Sequence, residues 1–332
     1  MRACVSRVGG VVRLPTRGFR ATGIGGGVLD VTVPVAGARR VVVHYHIFKN
    51  GGSTIEYILE RVFPGRFAAL DGADPDAVLD AEDLTAFLDQ YPGVAAVSSH
   101  HLRYPKPVSR RTVLFDCCFL RDPLARLYSS YNHFRRCDPE SPYSRWARTY
   151  SAREFAKRLI DEAPHLASNV QVTQLANAGA FTRPANEQDL ERASAVLREM
   201  AVPGLVEMFD ESLVAAEHFL RPAFPGLRLE YIAQNVSQAG ARAPDDAREY
   251  WESLWGRELH GLLRRMNEMD LELVRRARQE IERRLSQVPR AEEKLRDLRA
   301  RCERLAAAFG GQAAEPRAPA EGARAVRSAA GG

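Results

Sequence analysis

The residues best suited to binding an anion form one continuous run: Lys49, Asn50, Gly51, Gly52, Ser53 and Thr54. Glycines let backbone N–H groups approach a phosphate closely, and the N-terminus of a following helix adds a partial positive charge. Lys49 supplies a full positive charge, and the two hydroxyls can donate hydrogen bonds. The run therefore indicates a phosphate-binding loop, with a simple strand–turn–helix connection as the alternative.

The order of the lysine and the glycines separates this loop from the Walker A loop of ATP-hydrolysing enzymes. The Walker pattern GxxxxGK[ST] puts its lysine after the glycines. Here Lys49 comes before Gly51 and Gly52, and the first Walker glycine is missing. ATP hydrolysis through a Walker loop is therefore disfavoured.

A second cationic motif follows a strand-sized apolar run further along the chain. Arg121 comes directly after Thr112–Leu120, and Ser129 follows about two helical turns later. The guanidinium of Arg121 can bind a second phosphate with two parallel hydrogen bonds, and the Ser129 hydroxyl can donate to the same group. The alternative is that Arg121 pairs with a neighbouring carboxylate such as Asp122 and that Ser129 is a small packing residue.

Together the two motifs resemble those of the sulfotransferases that use 3′-phosphoadenosine 5′-phosphosulfate (PAPS). In that family a K-x-G-[GS]-[ST]-[ST] loop binds the 5′-phosphosulfate, and an RDP-x-x-R-x-x-S-x-Y segment binds the 3′-phosphate. This chain has matching runs at Lys49–Thr54 and Arg121–Tyr131, at a similar separation. The most similar branch is that of the carbohydrate sulfotransferases of the heparan/uronyl 2-O type. The resemblance implies that PAPS is the co-substrate and that 3′,5′-adenosine bisphosphate (PAP) is the product.

Two segments further downstream resemble the same enzymes more weakly. Gly204–Leu213 is similar to a segment with a glycine, apolar residues and a glutamate, and Asn267–Leu273 is similar to a late N-x-x-D-x-x-L-Y segment. The tyrosine of the late segment is replaced by Val274, so no role is assigned to that position. The resemblance spans about Val41–Ala277.

Transfer of a sulfuryl group requires the acceptor hydroxyl to lose its proton, and histidine suits that task near neutral pH. His100 and His101 follow the predicted strand Val94–Ser99, whose carboxyl end meets the lysine loop at one edge of the sheet. The resembling enzymes carry an H-x-H-hydrophobic-x-Y run here. Aligning its tyrosine with Tyr104 puts the base at His101. The match is imperfect, so His100 stays open as the base, and two ordinary loop histidines are the alternative to both.

The resemblance implies a second role for Lys49. Lys49 would stabilise the charge that develops on the oxygen between sulfur and phosphorus, and it would orient PAPS for in-line attack. The scheme requires no metal. A metal site is the alternative use of the chain's clustered histidines, although no HExxH motif supports it. The residues concerned are His44, His46, His100 and His101.

Three residues just after the histidine pair are candidates for binding the acceptor: Arg103, Tyr104 and Lys106. Tyr104 is included through the resemblance. The two cations could hold an acidic sugar, such as a uronic acid or an already sulfated glycan, and a solvated basic loop is the alternative. The resemblance to the carbohydrate branch implies that the acceptor is a hydroxyl of a glycan or another carbohydrate. A lipid-linked sugar, a small metabolite and a protein tyrosine stay open as acceptors.

The apolar pattern predicts the scaffold that brings these motifs together. Arg40–Ile47, Val94–Ser99 and Thr112–Leu120 have the length and composition of buried strands. Helical spacing of apolar residues follows the first and the third, and a short helix is predicted near Ala81–Gln90. Alternating strands and helices predict a parallel sheet with crossover helices. We expect an α/β fold with a P-loop-like parallel sheet flanked by helices, a short strand near Gly204–Glu207 and a mostly helical C-terminal region.

The composition is that of an ordinary globular protein and excludes several classes. The chain has 332 residues, of which 45% are hydrophobic and 27% charged, and no apolar run reaches the about 18 residues of a transmembrane anchor. The net charge of +5 arises before the first acid, Asp30. The rest of the chain is neutral, so charge does not indicate a nucleic-acid or membrane partner. Five cysteines without a CxxC pair fit a reducing compartment, and we expect a cytoplasmic protein.

Four segments are predicted along the chain: a loosely ordered basic segment at 1–38, a sulfotransferase domain at 39–285, a C-terminal helix at 286–310 and a disordered tail at 311–332. Residues 1–27 are rich in arginine and lack acids, so a transit peptide is the alternative for them. The tail consists mainly of Ala, Gly, Pro and Arg and buries too little apolar surface to offset its ordering entropy.

Two rival functions remain open beside PAPS-dependent O-sulfotransfer. An atypical P-loop kinase or NTPase would need a magnesium-binding carboxylate after a strand, for which Asp116 and Asp122 are the candidates. A non-catalytic nucleotide-binding interaction protein would use the Arg- and Glu-rich helical stretch Asp245–Phe309. The same stretch could form the contact of a homo-oligomer.

Overall fold

The computed structural model describes most of the chain between the first strand and the last helix. The described residues are 12–13, 37–72, 74, 77–137, 141–176, 183–234 and 247–310. The predictions for the tail 311–332 and for nearly all of segment 1–38 lie outside these residues. Among the described helices, none combines the length and the apolar composition needed to cross a bilayer.

One parallel sheet organises the molecule. Its strands stand in the order β1-β3-β4-β2-β5-β6, and every pair of neighbours runs parallel. Their bounds are β1 Val12–Arg13, β2 Arg39–Tyr45, β3 Phe67–Asp71, β4 Ala96–Ser99, β5 Thr112–Leu120 and β6 Val202–Leu205. The predicted α/β fold is confirmed, because helices connect the strands and cover both faces of the sheet.

The helices follow the strands and then dominate the second half of the chain. The first three are α1 Gly52–Val62, α2 Ala81–Gln90 and α3 Pro123–Phe134. The next five are α4 Pro142–Thr149, α5 Ala152–Glu162, α6 Val170–Ala176, α7 Glu187–Glu199 and α8 Phe209–Leu220. The last four, α9 Ala247–Trp255, α10 Arg257–Met266, α11 Glu268–Leu285 and α12 Ala291–Gly310, confirm the helical C-terminal region.

Successive side chains of β2 point to opposite faces of the sheet and so belong to two different core clusters. Val41 and Val43 join the cluster beneath α2, α6, α7 and α11, whereas Val42 joins the cluster beneath α1, α8 and α12. A third apolar cluster around Phe155 and Trp255 lies among α3, α5, α9 and α10. The helix α12 thus shares a core with the sheet, because Leu298 is fully buried in the same cluster as Val42.

The structure differs from the predicted strands at β1, β3 and β6, and β1 lies within the segment predicted to be loosely ordered. The strand β3 was not predicted, because its sequence contains two alanines and only alternate residues are buried, which leaves a weak apolar signal. The strand β6 begins at Val202 rather than near Gly204. Pro203 is tolerated there because β6 is an edge strand, and a side chain at Gly204 would collide with the Phe119 ring.

Candidate functional site

The carboxyl ends of three adjacent strands form the candidate site. Tyr45 at the end of β2 lies opposite Ser99 at the end of β4, and His44 lies opposite Cys117 of β5. The lysine loop, the histidine pair and the arginine motif leave the sheet at this edge. Parallel α/β sheets bind ligands at the same edge.

The lysine loop is a tight turn that opens the first helix. Lys49 and Gly51 both have positive φ, at 69° and 75°, and the carbonyl of Gly51 accepts the first hydrogen bonds of α1. Among the described residues, no side chain caps the N-terminus of α1. Ser53 is partly buried, and the Thr54 hydroxyl accepts a 3.0 Å hydrogen bond from the Gln234 N–H. An uncapped helix start beside a lysine has the features of an anion site.

The two predicted anion motifs meet at this turn. The Arg121 guanidinium donates to the Lys49 carbonyl at 3.1 Å, and its buried Nε has no hydrogen-bond partner among the described residues. Burial and the neighbouring cations Arg121 and Arg136 lower the pKa of Lys49 to about 8. Burial lowers the pKa of Arg121 as well. Two partly desolvated cations placed together in this way favour binding of an anionic ligand.

Gln171 holds the two motifs together, and it was not among the residues predicted for the site. Its Oε1 accepts from Asn50 Nδ2 at 2.8 Å and from the Arg121 N–H at 2.9 Å, while its Nε2 donates to the Arg121 carbonyl at 2.8 Å. Asp270 in turn accepts from the backbone N–H of Gln171 and of Val172. The predicted loop residue Asn50 is therefore a buried brace. The helix α6 contains two amide side chains, Gln171 and Gln174, so its composition alone does not single out Gln171.

Ser129 lies on α3, partly buried and two turns beyond the helix start. The start of the helix is capped: Asp122 accepts from the N–H groups of Leu124 and Ala125, and Pro123 occupies the first helical position. The hydroxyl of Ser129 as a phosphate donor stays a prediction.

Hydrogen bonds distinguish the two histidines that follow β4. His101 Nδ1 accepts from the Gly72 N–H at 2.9 Å, so in the neutral ring the proton sits on Nε2. His100 Nδ1 contacts the His46 carbonyl at 3.2 Å, which only accepts, so His100 carries its proton on Nδ1 and a lone pair on Nε2. A neutral ring that is protonated on Nδ1 has a free lone pair on Nε2 and can accept a proton there. These contacts therefore favour His100 over His101 as the base.

A chain of polar side chains lies beneath His100. His44 Nδ1 contacts the Ser98 hydroxyl at 2.9 Å, Ser98 donates to Glu56 Oε1 at 2.8 Å, and His46 Nδ1 contacts the same oxygen at 2.9 Å. The ligand-type atoms of His44, His46 and Glu56 lie within 4.8 Å of one another, a spacing that a metal ion would also accept. Each atom already has a partner within the chain, so a hydrogen-bond network accounts for the cluster.

The three predicted acceptor ligands have protein partners. The Tyr104 hydroxyl donates to Asp116 at 2.8 Å, and Lys106 pairs with the other oxygen of that carboxylate at 2.9 Å. Arg103 is buried and donates to the carbonyls of His100 and Leu102. These contacts favour a structural role for all three residues, and their part in acceptor binding stays a prediction.

The same contacts weaken the case for a magnesium-dependent kinase. Asp116 is buried within β5, where Tyr104, Lys106 and the Ala201 N–H occupy its oxygens. Asp122 is engaged as the cap of α3. Asp116 is therefore not available as a magnesium ligand beside a phosphate, and one oxygen of Asp122 is committed to the helix cap.

Comparison with known proteins adds one relative and no activity. No family model matches the chain. An uncharacterized protein from Archaeoglobus fulgidus is 27% identical over 241 residues, which cover 71% of this chain and 94% of the relative. No activity can be transferred from this relative, so the function is inferred from the residues of the site.

Proposed function

We propose that the protein is a PAPS-dependent O-sulfotransferase. One observation carries the proposal: Lys49 and Arg121 are brought together at the uncapped start of α1. The resemblance of both motifs to those of PAPS-dependent enzymes supplies the identity of the ligand, because PAPS carries one phosphate group at each end of its ribose. A magnesium-dependent kinase would instead need an available carboxylate at this edge.

Each residue has a defined task in the proposed reaction. PAPS supplies the sulfuryl group. The acceptor oxygen forms a bond to sulfur as the bond from sulfur to the bridging oxygen breaks, and PAP leaves with that electron pair. Lys49 neutralises the charge on the bridging oxygen, Arg121 holds the 3′-phosphate, and His100 Nε2 takes the acceptor's proton. A carbohydrate hydroxyl is the proposed acceptor, on the strength of the resemblance.

The test is calorimetric binding of PAP, compared with ATP and AMP, in the presence of EDTA. We expect PAP to bind at micromolar or lower concentration and AMP to bind more weakly. Arg121→Gln should weaken PAP binding and leave AMP binding nearly unchanged. The matched control is Arg145→Gln on the exposed side of α4, which should change neither.

The opposite pattern would overturn the proposal. If PAP does not bind and magnesium restores ATP binding, the protein belongs with the kinases and NTPases. If PAP binds but no carbohydrate, lipid-linked sugar, small alcohol or tyrosine peptide becomes sulfated, a non-catalytic nucleotide-binding role is favoured.

A further inference from the structure

The polar cluster under His100 is arranged around one carboxylate, that of Glu56, which is partly exposed, whereas His44, His46 and Ser98 are buried. Glu56 Oε1 lies 2.9 Å from His46 Nδ1 and 2.8 Å from the Ser98 hydroxyl, which itself contacts His44 Nδ1. A carboxylate only accepts hydrogen bonds, so His46 carries its proton on Nδ1 and Ser98 directs its proton to Glu56. His44 then donates to Ser98. The carboxylate of Glu56 therefore sets the direction of every hydrogen bond in the chain.

This network extends to the proposed base through His46. The rings of His46 and His100 face each other with centroids 3.7 Å apart, and the His46 carbonyl receives the Nδ1–H of His100. Glu56 fixes the His46 ring, and the His46 backbone and ring fix His100. The orientation of His100 thus depends on a carboxylate that it does not touch.

The position of His46 is also set from the side of the lysine loop. A Cβ on Gly52 would lie 1.8 Å from His46 Nε2, so the imidazole occupies the space beside the first residue of α1. The ring therefore stands between the proposed base and the loop proposed to bind the 5′-phosphosulfate. Packing by Gly52 and hydrogen bonding by Glu56 leave it one orientation.

Burying this many polar groups is unfavourable unless all of them are satisfied, and an apolar cluster would be an equally stable filling. Burial lowers the pKa of His46 and of His100 to about 3 in each case; the neighbouring His46 also lowers that of His100, and Asp71 and Glu56 oppose these effects. A group that must accept a proton during a reaction gains from a nearby negative charge. Glu56 supplies that charge from α1, and Asp71 supplies it from β3.

We infer that Glu56 is a positioning residue of the transfer site: through His46 it holds His100 in the base-competent tautomer, and its charge stabilises His100 once that ring is protonated. The inference rests on the proposed function, since it names the group that supports the proposed base. The residue that touches the acceptor is His100, and Glu56 acts on His100 through His46.

Glu56→Gln separates charge from hydrogen bonding. The contacts with His46 and Ser98 are both to Oε1, and a glutamine oxygen in that position still accepts from both. We expect kcat to fall between about 10- and 100-fold, part of the contribution that a general base makes. KM for PAPS and the melting temperature should change little. The matched control is Glu60→Gln, which removes the same charge one turn further along α1 and should leave kcat within about two-fold.

Nitrogen-detected NMR of the histidine rings tests the network without any acceptor. Wild type and Glu56→Gln should show His44, His46 and His100 protonated on Nδ1, and His101 protonated on Nε2. Glu56→Leu should lose the single tautomer of His46. A wild-type His46 protonated on Nε2 would overturn the inference whether or not the protein transfers sulfate.

Two further results would also overturn it. One is an unchanged kcat in Glu56→Gln once an acceptor is in hand. The other is a zinc-dependent rise in melting temperature that disappears in Glu56→Gln, because the three side chains would then be metal ligands. If PAP does not bind but the tautomers are as expected, the proposed function fails and the hydrogen-bond network stands.

Discussion

Lys49 combines an unusual backbone conformation with a destabilised positive charge. Its backbone lies in the left-handed region, which non-glycine residues rarely occupy. Its ammonium group has a pKa of about 8 because of burial and the cations Arg121 and Arg136. An anion bound beside the ammonium group would stabilise its charge, which is consistent with the proposed phosphate ligand.

The lowered pKa predicts a pH-dependent affinity for PAP. Below pH 8 Lys49 is protonated before the ligand arrives, whereas above it the binding step must take up a proton. Affinity should therefore fall as the pH rises above about 8, and calorimetry in buffers of different ionisation enthalpy should reveal proton uptake at pH 9. Lys49→Arg should bind without that uptake, since arginine stays protonated. Uptake that persists in Lys49→Arg would assign the titration to another group.

Gly52 is predicted to be intolerant of any side chain. In Gly52→Ala the new methyl group would overlap the His46 ring, so the ring or the loop must move, and we expect a loss of about 1–3 kcal/mol of stability. Gly93→Ala is the control, because nothing lies within 4 Å of its Cβ position. Equal melting temperatures for the two variants would show that the His46 ring can leave its place without loss.

Among the elements, α6 contributes the link between two loops that are remote in sequence. Gln171 bonds to Asn50 after β2 and to Arg121 after β5, and Asp270 at the start of α11 secures the backbone of α6 from behind. The late N-x-x-D segment, to which the sequence assigned no role, thus acts as a support. Asn267 accepts from the Asn169 N–H, and Asp270 is fully buried.

Replacing Gln171 tests this link at the element scale. Gln171→Leu removes the partners that Gln171 provides to the backbone N–H and carbonyl of Arg121, at about 1–3 kcal/mol for each buried group left unpaired. Asn50 Nδ2 loses one of its two acceptors and keeps its bond to the Phe119 carbonyl. We expect a lower melting temperature and a PAP affinity reduced by roughly ten-fold. Gln174→Leu, on the same helix and partly exposed, is the control. A Gln171 variant that is less stable but binds PAP with unchanged affinity would limit α6 to a packing role.

At the scale of the whole molecule, the last helix is joined to the sheet by a common core. Leu298 of α12 is fully buried with residues of β2, α1 and α8. Arg301 is also buried there and pairs with Glu217, Glu230 and Asp297. The predicted boundary at 286 therefore falls between two helices that share one cluster.

Leu298→Ala is expected to destabilise the entire fold. Deletion of a fully buried leucine side chain removes about 2–5 kcal/mol of stability, and unfolding should remain one transition seen equally by circular dichroism and tryptophan fluorescence. Leu305→Ala, at a partly exposed position of α12, should have a much smaller effect. Two separate transitions in Leu298→Ala would show that α12 unfolds independently of the sheet.

Local sequence determined the strands β2 and β5, the tight turn at Gly51 and the capped start of α3, because each depends on residues a few positions apart. Both anion-binding motifs could be recognised from the sequence for the same reason, because the residues of each motif are close together along the chain. The weakly apolar strand β3 was missed, since its pairing with β4 comes from neighbours rather than from its own composition.

Tertiary structure decided what the local pattern left open. Which of His100 and His101 is favoured as the base depends on the hydrogen-bond partner of each Nδ1. That partner is the Gly72 N–H for His101 and the His46 carbonyl for His100. The capture of Tyr104 and Lys106 by Asp116, and the bridge through Gln171, are likewise contacts across strands and helices. Hydrogen-bond direction and burial arise only when distant segments meet, so residue type and spacing could not supply them.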